Sequence, residues 1–277
     1  MRNFIKYPPF RWRSTDEYYT PAGPSFESAP TTKIKLGGNT LKFKAPRHCP
    51  TDSRYEQFKY KALFNQLPCD PIRNGDGPTN GWEFCSPIVR HWGFYGPYGI
   101  GEAGNVSLAI SVLTKENNCP SLFQPRAFEN MLFDYLHTIL ERDDDHKGIE
   151  IAPVNWQPIC FKDSFAATFD IAPFNSYNRI RKVFTFPLTK KHFLEIGFRV
   201  GQSVETSIDS NGSAKYAPAN DHSNFNNQPM LDLIENVINS VELEYSEENL
   251  AEIEKVKKEN PDLKMQLQET FLPLKLD

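Results

Sequence analysis

The sequence predicts an α+β fold, with a mostly antiparallel sheet, two helices packed on it and a further helix on the surface near the C-terminus. Short runs of alternating apolar residues, such as Val106, Leu108 and Ile110 in NVSLAISVLT, are typical of half-buried strands. Two longer segments carry apolar residues at spacings of three and four, which is typical of amphipathic helices. A third segment, 246–261, has the caps and charge distribution of a complete helix.

The chain has 277 residues, enough for one large domain or two small ones, and a chain of this length buries roughly 70–75% of its extended surface. Its composition is globular, with 39% hydrophobic and 24% charged residues, and its 22 prolines indicate many ordered loops. We divide it into an extended, Pro- and aromatic-rich arm at 1–32, a single α+β domain at 33–245, and a charged helix with its tail at 246–277.

The first predicted element is a hairpin. The segment KIKLGGNTLKFKA at 33–45 has two alternating runs around Gly-Gly-Asn, a turn sequence that favours the φ > 0 conformations of tight hairpins. We expect its lysines on one face and its apolar residues in the core: Ile34, Leu36, Leu41 and Phe43. Residues 46–81 carry five prolines and the polar turn RNGDGPTNG, and are predicted to be a loop.

The central stretch 82–113 is predicted to organise the chain. An aromatic strand at 82–92 leads into the glycine-rich loop GFYGPYGIGEAG, and a strand at 105–114 follows. Glycine permits unusual backbone conformations, so this loop would mount its aromatic rings either as an internal crossover or as a recognition surface.

The second half of the chain alternates strands and helices. A helix is predicted at about 125–142, followed by strands at 152–159 and 164–172 and a hairpin formed by 179–188 and 191–200. Residues 201–229 are polar and predicted to be a loop. A helix at 229–241, an edge strand at 241–245 and a surface helix at 246–260 with Ser246 as its N-cap complete the prediction.

No motif in the sequence specifies a cofactor, a metal or a catalytic set. Gly99, Gly101 and Gly104 match the dinucleotide-binding fingerprint by letter, but strand periodicity follows where a helix is required. Asp143–Asp145 with His146 lack a second ligand cluster, and the five cysteines contain no CxxC pair, so we expect reduced thiols. We therefore predict a protein that is not an enzyme and holds neither cofactor nor metal.

Seven residues are candidates for binding a partner. Aromatic rings on a glycine-shaped loop are typical interface anchors, and three consecutive carboxylates oppose the dipole of the helix that they end. The candidates are Trp92, Phe94, Tyr95, Tyr98, Asp143, Asp144 and Asp145. The alternative for the rings is that they pack against the arm at 1–32.

The charge distribution favours a protein partner. Residues 1–61 hold 12 basic and 5 acidic side chains, whereas the whole chain has a net charge of −4, and such an asymmetry can steer an oppositely charged partner. An acidic chain with scattered basic residues is not typical of nucleic-acid binding. The sequence shows no membrane-length apolar run and no secretory signal, so we expect a cytoplasmic protein without a membrane partner.

Several segments together resemble a family of soluble proteobacterial proteins associated with type VI secretion. They are YPPFRWR, LGGNTLKFKAP, PRAFENMLFDYL, APVNWQP, FPLTKKHFLEIGF and INSVEL. The pattern of strand and helix ends also resembles the PsbP-like α/β/α sandwich. The insert at 201–229 and the helix at 246–260 are poorly covered by this resemblance.

The resemblance implies an immunity protein, which binds and neutralises a cognate secreted toxin by covering its surface. Such a protein needs a stable scaffold and charge complementarity rather than catalysis. Two alternatives stay open: an adaptor or chaperone that loads an effector, or an enzyme whose polar residues meet only in the fold, with His91, His48 and Asp144 as the first to test.

Overall fold

The computed structural model describes residues 20–47, 70–74, 77–96, 102–115, 120–140, 150–173, 181–202, 205–208, 214–216, 225–262 and 264–265. Its strands are β1 (Thr31–Leu36), β2 (Asn39–Lys44), β3 (Asp70–Asn74), β4 (Gly77–Tyr95), β5 (Glu102–Lys115), β6 (Glu150–Phe161), β7 (Ser164–Pro173), β8 (Arg181–Pro187), β9 (His192–Gln202), β10 (Glu205–Ile208), β11 (Ala214–Tyr216) and β12 (Glu242–Glu244). Its helices are α1 (Pro125–Leu140), α2 (Gln228–Asn239) and α3 (Glu247–Glu259).

The main sheet has seven strands in the order β3-β4-β5-β9-β8-β7-β6, and every neighbouring pair is antiparallel. A second sheet has the order β1-β2-β12, and β10 pairs with β11. The predicted α+β class is therefore confirmed. The division into arm, domain and tail stays a prediction.

The main sheet packs a helix on each face. On β9, Leu194, Ile196 and Phe198 point toward α2, and the alternate residues point toward α1. We call these the α2 face and the α1 face. The α2 face is a continuous apolar core, because α2 and the three-stranded sheet both bury apolar side chains against it: Met230, Leu233, Ile234 and Val237 from α2, and Leu36, Leu41 and Phe43 from the sheet.

Helix α1 covers part of the α1 face. Its apolar stripe packs against a cluster from five strands of the main sheet: Trp82, Leu113, Phe193, Val183, Phe169 and Ile171. At the centre of this cluster Phe193 is fully buried, with its ring centroid 5.7 Å from that of Tyr135 and 6.0 Å from that of Trp82. Such edge-to-face contacts between rings add to the free energy gained by burial.

The predicted β1–β2 hairpin is confirmed. Gly37 and Gly38 form the turn with φ of 54° and 80°, in the region that only glycine adopts freely. Leu36, Leu41 and Phe43 are buried as expected, and Ile34 is half-buried against the same core. The predicted edge strand is also present, since β12 pairs with β2 at one edge of the three-stranded sheet.

A buried hydrogen-bond network fixes α3 to the three-stranded sheet. Asn39 Oδ1 accepts from the backbone N–H of Ser246 and from Asn249 Nδ2, each at 2.9 Å, and Asn39 Nδ2 donates to the carbonyl of Leu188 at 2.8 Å. Ser246 Oγ accepts from the N–H of Asn249 as the predicted N-cap. Since Asn39 is fully buried with its partners satisfied, the network positions α3 rather than costing stability.

Three predicted loops were partly wrong. The interval 46–81 contains β3 and the beginning of β4, the interval 93–104 contains the end of β4 and the beginning of β5, and the interval 201–229 contains β10, β11 and the beginning of α2. Tertiary pairing outweighs the weak strand preference of these glycine- and proline-containing segments. Pro71 is tolerated because β3 is an edge strand.

Candidate functional site

A row of polar side chains crosses four strands on the part of the α1 face beyond the apolar cluster. His91 of β4 pairs in register with Ser107 of β5, Ser107 with Arg199 of β9, and Arg199 with Arg181 of β8. We call these four residues the polar row. Directly opposite residues in antiparallel strands lie about 4.5–5.5 Å apart, so each side chain of the row can contact the next.

The first pair in the row is His91 and Ser107. His91 Nδ1 lies 2.9 Å from Ser107 Oγ, and the imidazole is only 8% exposed. Ser107 is half-buried. The tautomer of His91 decides which of the two atoms donates, and thereby whether the hydroxyl hydrogen of Ser107 is engaged or free.

The other end of the row contains a buried ion pair. Arg181 Nη2 donates to Glu195 Oε1, and the side chain of Glu195 is only 3% exposed. The negative charge of Glu195 raises the pKa of Arg181, while burial raises the pKa of the adjacent Tyr135 of α1, with the charge of Glu195 acting in the same direction. Glu195 therefore balances the charge of Arg181 at the boundary with α1.

Arg199 differs from Arg181 in having no counter-ion among the described residues. Its side chain is exposed. Among the residues that the structure describes it forms no ion pair and no side-chain hydrogen bond. The row therefore combines hydroxyl and imidazole groups with one unbalanced positive charge, an arrangement that suits the binding of an anion.

Glycines flank Arg199 on its own strand. Gly197 and Gly201 occupy the positions two residues before and after it, on the same face of the sheet. A Cβ at Gly201 would lie 2.7 Å from Asn105 Oδ1, and one at Gly197 would lie 3.1 Å from Glu195 Oε1. Polar side chains thus lie over the glycine backbone, from Asn105 of β5 at Gly201 and from Glu195 and Arg181 at Gly197, and Arg199 has no bulky neighbour two residues away on β9.

The three loop aromatics that the structure describes are buried, which favours the alternative of packing against the arm, and their binding of a partner stays a prediction. Trp92 and Phe94 are 0% and 1% exposed on the α2 face, and Tyr95 is 9% exposed. Side chains keep alternating between the two faces of the sheet along β4 through this stretch. The rings of Trp92 and Phe94 therefore point into the core and do not lie on the surface of a loop. The residues of the arm that lie nearest to Phe94 and Tyr95 do pack against them, as the alternative predicts.

Two contacts show this packing. Ala22 and Tyr95 exchange two backbone hydrogen bonds of 2.8 and 2.9 Å. A Cβ on Gly23 would lie only 2.2 Å from the ring of Phe94, so Phe94 packs directly on the backbone of the arm. Trp92 has a partner outside the arm, because its Nε1 donates to the carbonyl of Pro46 at 3.2 Å.

The remaining candidates lie outside the described residues: Tyr98, Asp143, Asp144 and Asp145, together with His48. Their roles stay predictions. Sequence reasoning named His91 but missed Ser107, Arg181, Glu195 and Arg199. A signal for two of them existed, since FLEIGFR at 193–199 places Glu195 and Arg199 at odd positions with Phe193.

A second charged surface lies on the outer side of the three-stranded sheet. Lys33 and Lys35 of β1 and Lys42 and Lys44 of β2 form it, and we call it the lysine face. Lys33 lies directly opposite Lys42. The two differ in their partners, because Lys42 forms an ion pair with Glu244.

The other lysines of this face also differ in whether the ammonium group has a partner. Lys44 Nζ donates to the carbonyl of Glu27 at 2.7 Å and lies 5.0 Å from the ring centroid of Phe26. Lys33 and Lys35 are exposed and form no ion pair or side-chain hydrogen bond with any residue that the structure describes. Within the described part of the chain, Lys33 and Lys35 are therefore the lysines of this face without an ion pair or a side-chain hydrogen bond, and Glu244 attracts Lys33 only at longer range.

The other titratable groups of the described segments do not converge. Cys85 is buried and belongs to the core of the α2 face, whereas Cys160 is exposed on the edge strand β6. His192 bonds Thr189 at the β8–β9 turn. Within the described segments no group of three or more His, Cys, Asp or Glu side chains has a geometry that could hold a metal ion, and none of their helices is long and apolar enough to cross a membrane.

Comparison with known proteins gave no match, either to a family model or to a curated protein or a solved structure. The resemblance to secretion-associated immunity proteins therefore stays a prediction.

Proposed function

We propose that the protein acts in the cytosol as an immunity protein, which binds a cognate secreted toxin and covers the surface that the toxin needs for its activity. The observation that carries this proposal is the lysine face, whose Lys33 and Lys35 form no ion pair with any described residue. Glu242 and Glu244 of β12 lie at one edge of the same outer side, and the excess of positive charge over these two carboxylates attracts an acidic protein surface and accelerates its association.

The lysine face includes an unfavourable contact in the free protein. Lys33 lies directly opposite Lys42, and like charges at such positions destabilise a sheet. Glu244 forms its close ion pair with Lys42 and attracts Lys33 only at longer range, so Lys33 and Lys35 gain most from acidic groups on a partner. The toxin contact is accordingly expected to carry Asp or Glu opposite β1.

The scaffold behind the lysine face is suited to presenting it. The network around Asn39 fixes the end of β2 near the turn, and Ser240 Oγ accepts from the N–H of Lys44 at 2.9 Å at the other end of the strand. Because β2 is fixed at both ends, little conformational entropy is lost when a partner binds its outer face.

The direct test is co-expression with each candidate secreted effector that is encoded near the gene for this chain. An immunity protein restores growth of cells that produce the toxin and co-purifies with it. Failure of both rescue and co-purification contradicts the proposal. An adaptor would co-purify without blocking toxin activity, so activity measured in the purified complex separates an inhibitor from an adaptor.

Charge reversal tests the assigned surface. We expect the double variant Lys33→Glu/Lys35→Glu to slow association with the toxin by about tenfold or more at low salt, and by less at high salt, because the attraction is screened. Lys190→Glu/Lys191→Glu is the matched control, since both lysines are exposed at the β8–β9 turn. Equal association rates for the two double variants would rule out the lysine face as the toxin contact.

A further inference from the structure

We propose that the polar row is a binding site for a small oxyanion, a carboxylate or a phosphate group, with Arg199 as its principal ligand and Ser107 as a second donor. The site lies on the α1 face of the main sheet, on the other side of that sheet from the lysine face. It is therefore independent of the proposed toxin contact.

The first argument is the charge balance of the row. Glu195 is engaged by Arg181, and Arg199 lies directly opposite Arg181 and forms no ion pair with a carboxylate of the described segments. Two cations opposite one carboxylate leave one positive charge, and opposed like charges destabilise the pair of strands. A bound anion beside Arg199 removes that cost.

The second argument is the set of hydrogen-bond donors. A guanidinium presents planar, paired N–H groups that match the two oxygens of a carboxylate or phosphate. Ser107 lies on the neighbouring strand in register with Arg199, and His91 Nδ1 holds its Oγ at 2.9 Å. With Nδ1 protonated, His91 donates to Oγ, and the hydroxyl hydrogen of Ser107 is free to donate to a ligand oxygen.

The third argument is the space around Arg199. Gly197 and Gly201 contribute no side chain beside it on β9, although the side chains of Glu195 and Arg181 lie over Gly197. Glycine inside a strand weakens the strand and often marks a place where a ligand approaches the backbone closely. Asn105 extends over Gly201, since its Oδ1 would lie 2.7 Å from a Cβ there, and so forms one wall of this space.

The chemistry of the row selects an anion over a cation or a metal. The carboxylate beside the row, that of Glu195, is buried and paired with Arg181. A single free guanidinium with one hydroxyl donor fits one oxyanion group, so we assign a small ligand or one group of a larger one. Inorganic phosphate and acetate are the probes for the two chemistries.

The test is titration of the full chain with phosphate and with acetate at constant ionic strength, followed by two-dimensional NMR of labelled protein and by thermal unfolding. We expect saturable shifts of the amides of β5 and β9 near Ser107 and Arg199, and a higher Tm at saturation. Saturation by phosphate alone identifies a tetrahedral ligand, and saturation by acetate alone identifies a carboxylate.

Variants assign the binding to the row. Arg199→Gln is expected to weaken binding tenfold or more, and Arg199→Lys to weaken it less, because an ammonium keeps the charge but loses the paired geometry. Ser107→Ala is expected to give an intermediate loss. Lys255→Gln, which removes an exposed cation from α3, is the control.

Two results would overturn the assignment. One is the absence of saturable binding of either anion into the millimolar range. The other is equal binding by the wild type and Arg199→Gln. Neither result bears on co-purification with a toxin, so this inference and the proposed function fail separately.

Discussion

The two halves of the α1 face are made by the same strands and point in the same direction, yet one is core and the other is polar. In one half Leu113 pairs with Phe193 beneath α1. In the other half, six residues along the strands, Ser107 pairs with Arg199. Strand alternation therefore determines the face on which a residue lies, whereas its burial depends on whether a helix covers that part of the face.

The boundary between the halves runs through Glu195. It lies two residues from Phe193 on β9, opposite Ser111 of β5, and its contact with Arg181 is adjacent to Tyr135 of α1. Polar groups this deeply buried are expensive unless they are paired. The ion pair of Glu195 and Arg181 therefore lets the polar half begin directly beside an apolar cluster.

The largest effect is expected in the apolar half. Phe193→Ala removes a fully buried ring that contacts Trp82, Phe128 and Tyr135, and such a truncation costs about 3–5 kcal/mol of the free energy of unfolding. Urea denaturation measures the loss. The control is Phe84→Ala, on the same face and opposite Leu113, because Phe84 is 37% exposed and its truncation should cost much less. Similar losses for the two variants would contradict the division of this face.

An intermediate effect is expected at the boundary. Glu195→Ala leaves the guanidinium of Arg181 without its partner beside α1. Because Arg181 keeps 23% exposure of its side chain, we expect a loss of roughly 2 kcal/mol, less than for a fully buried pair. Replacing both residues by apolar ones, Arg181→Met/Glu195→Leu, should recover most of it. A double variant no more stable than Glu195→Ala would show that the pair itself, rather than the orphaned charge, accounts for the loss.

Local patterns were sufficient to predict some elements of the fold. The β1–β2 hairpin follows from Gly37-Gly38 between alternating runs, and α3 follows from the N-cap Ser246 and its charge distribution. Each of these signals acts within a few residues of the chain. The beginning of β4 was missed because its pairing partner, β3, compensates for a sequence rich in glycine and proline.

The polar row could not be predicted because its members lie far apart in the sequence. His91 and Ser107 are 16 residues apart and meet only through the register of β4 and β5. Arg199 and Arg181 join them through two further pairings. The burial of the aromatic residues was left open for the same reason. Trp92 and Phe94 belong to β4, and its pairing with β5 turns them into the core.

The smallest effect on stability is expected where the polar half is most exposed. Arg199→Gln removes a cation that has no ion pair in the described segments and that lies opposite Arg181, so the free energy of unfolding should change by no more than about 0.5 kcal/mol. At low salt the variant should be the more stable protein, because it removes like-charge repulsion, and the difference should shrink as salt screens that repulsion. Urea denaturation at two ionic strengths measures both. A loss above about 1 kcal/mol would mean that Arg199 supports the fold, and the contrast between a structural and a ligand-binding half of the sheet would then disappear.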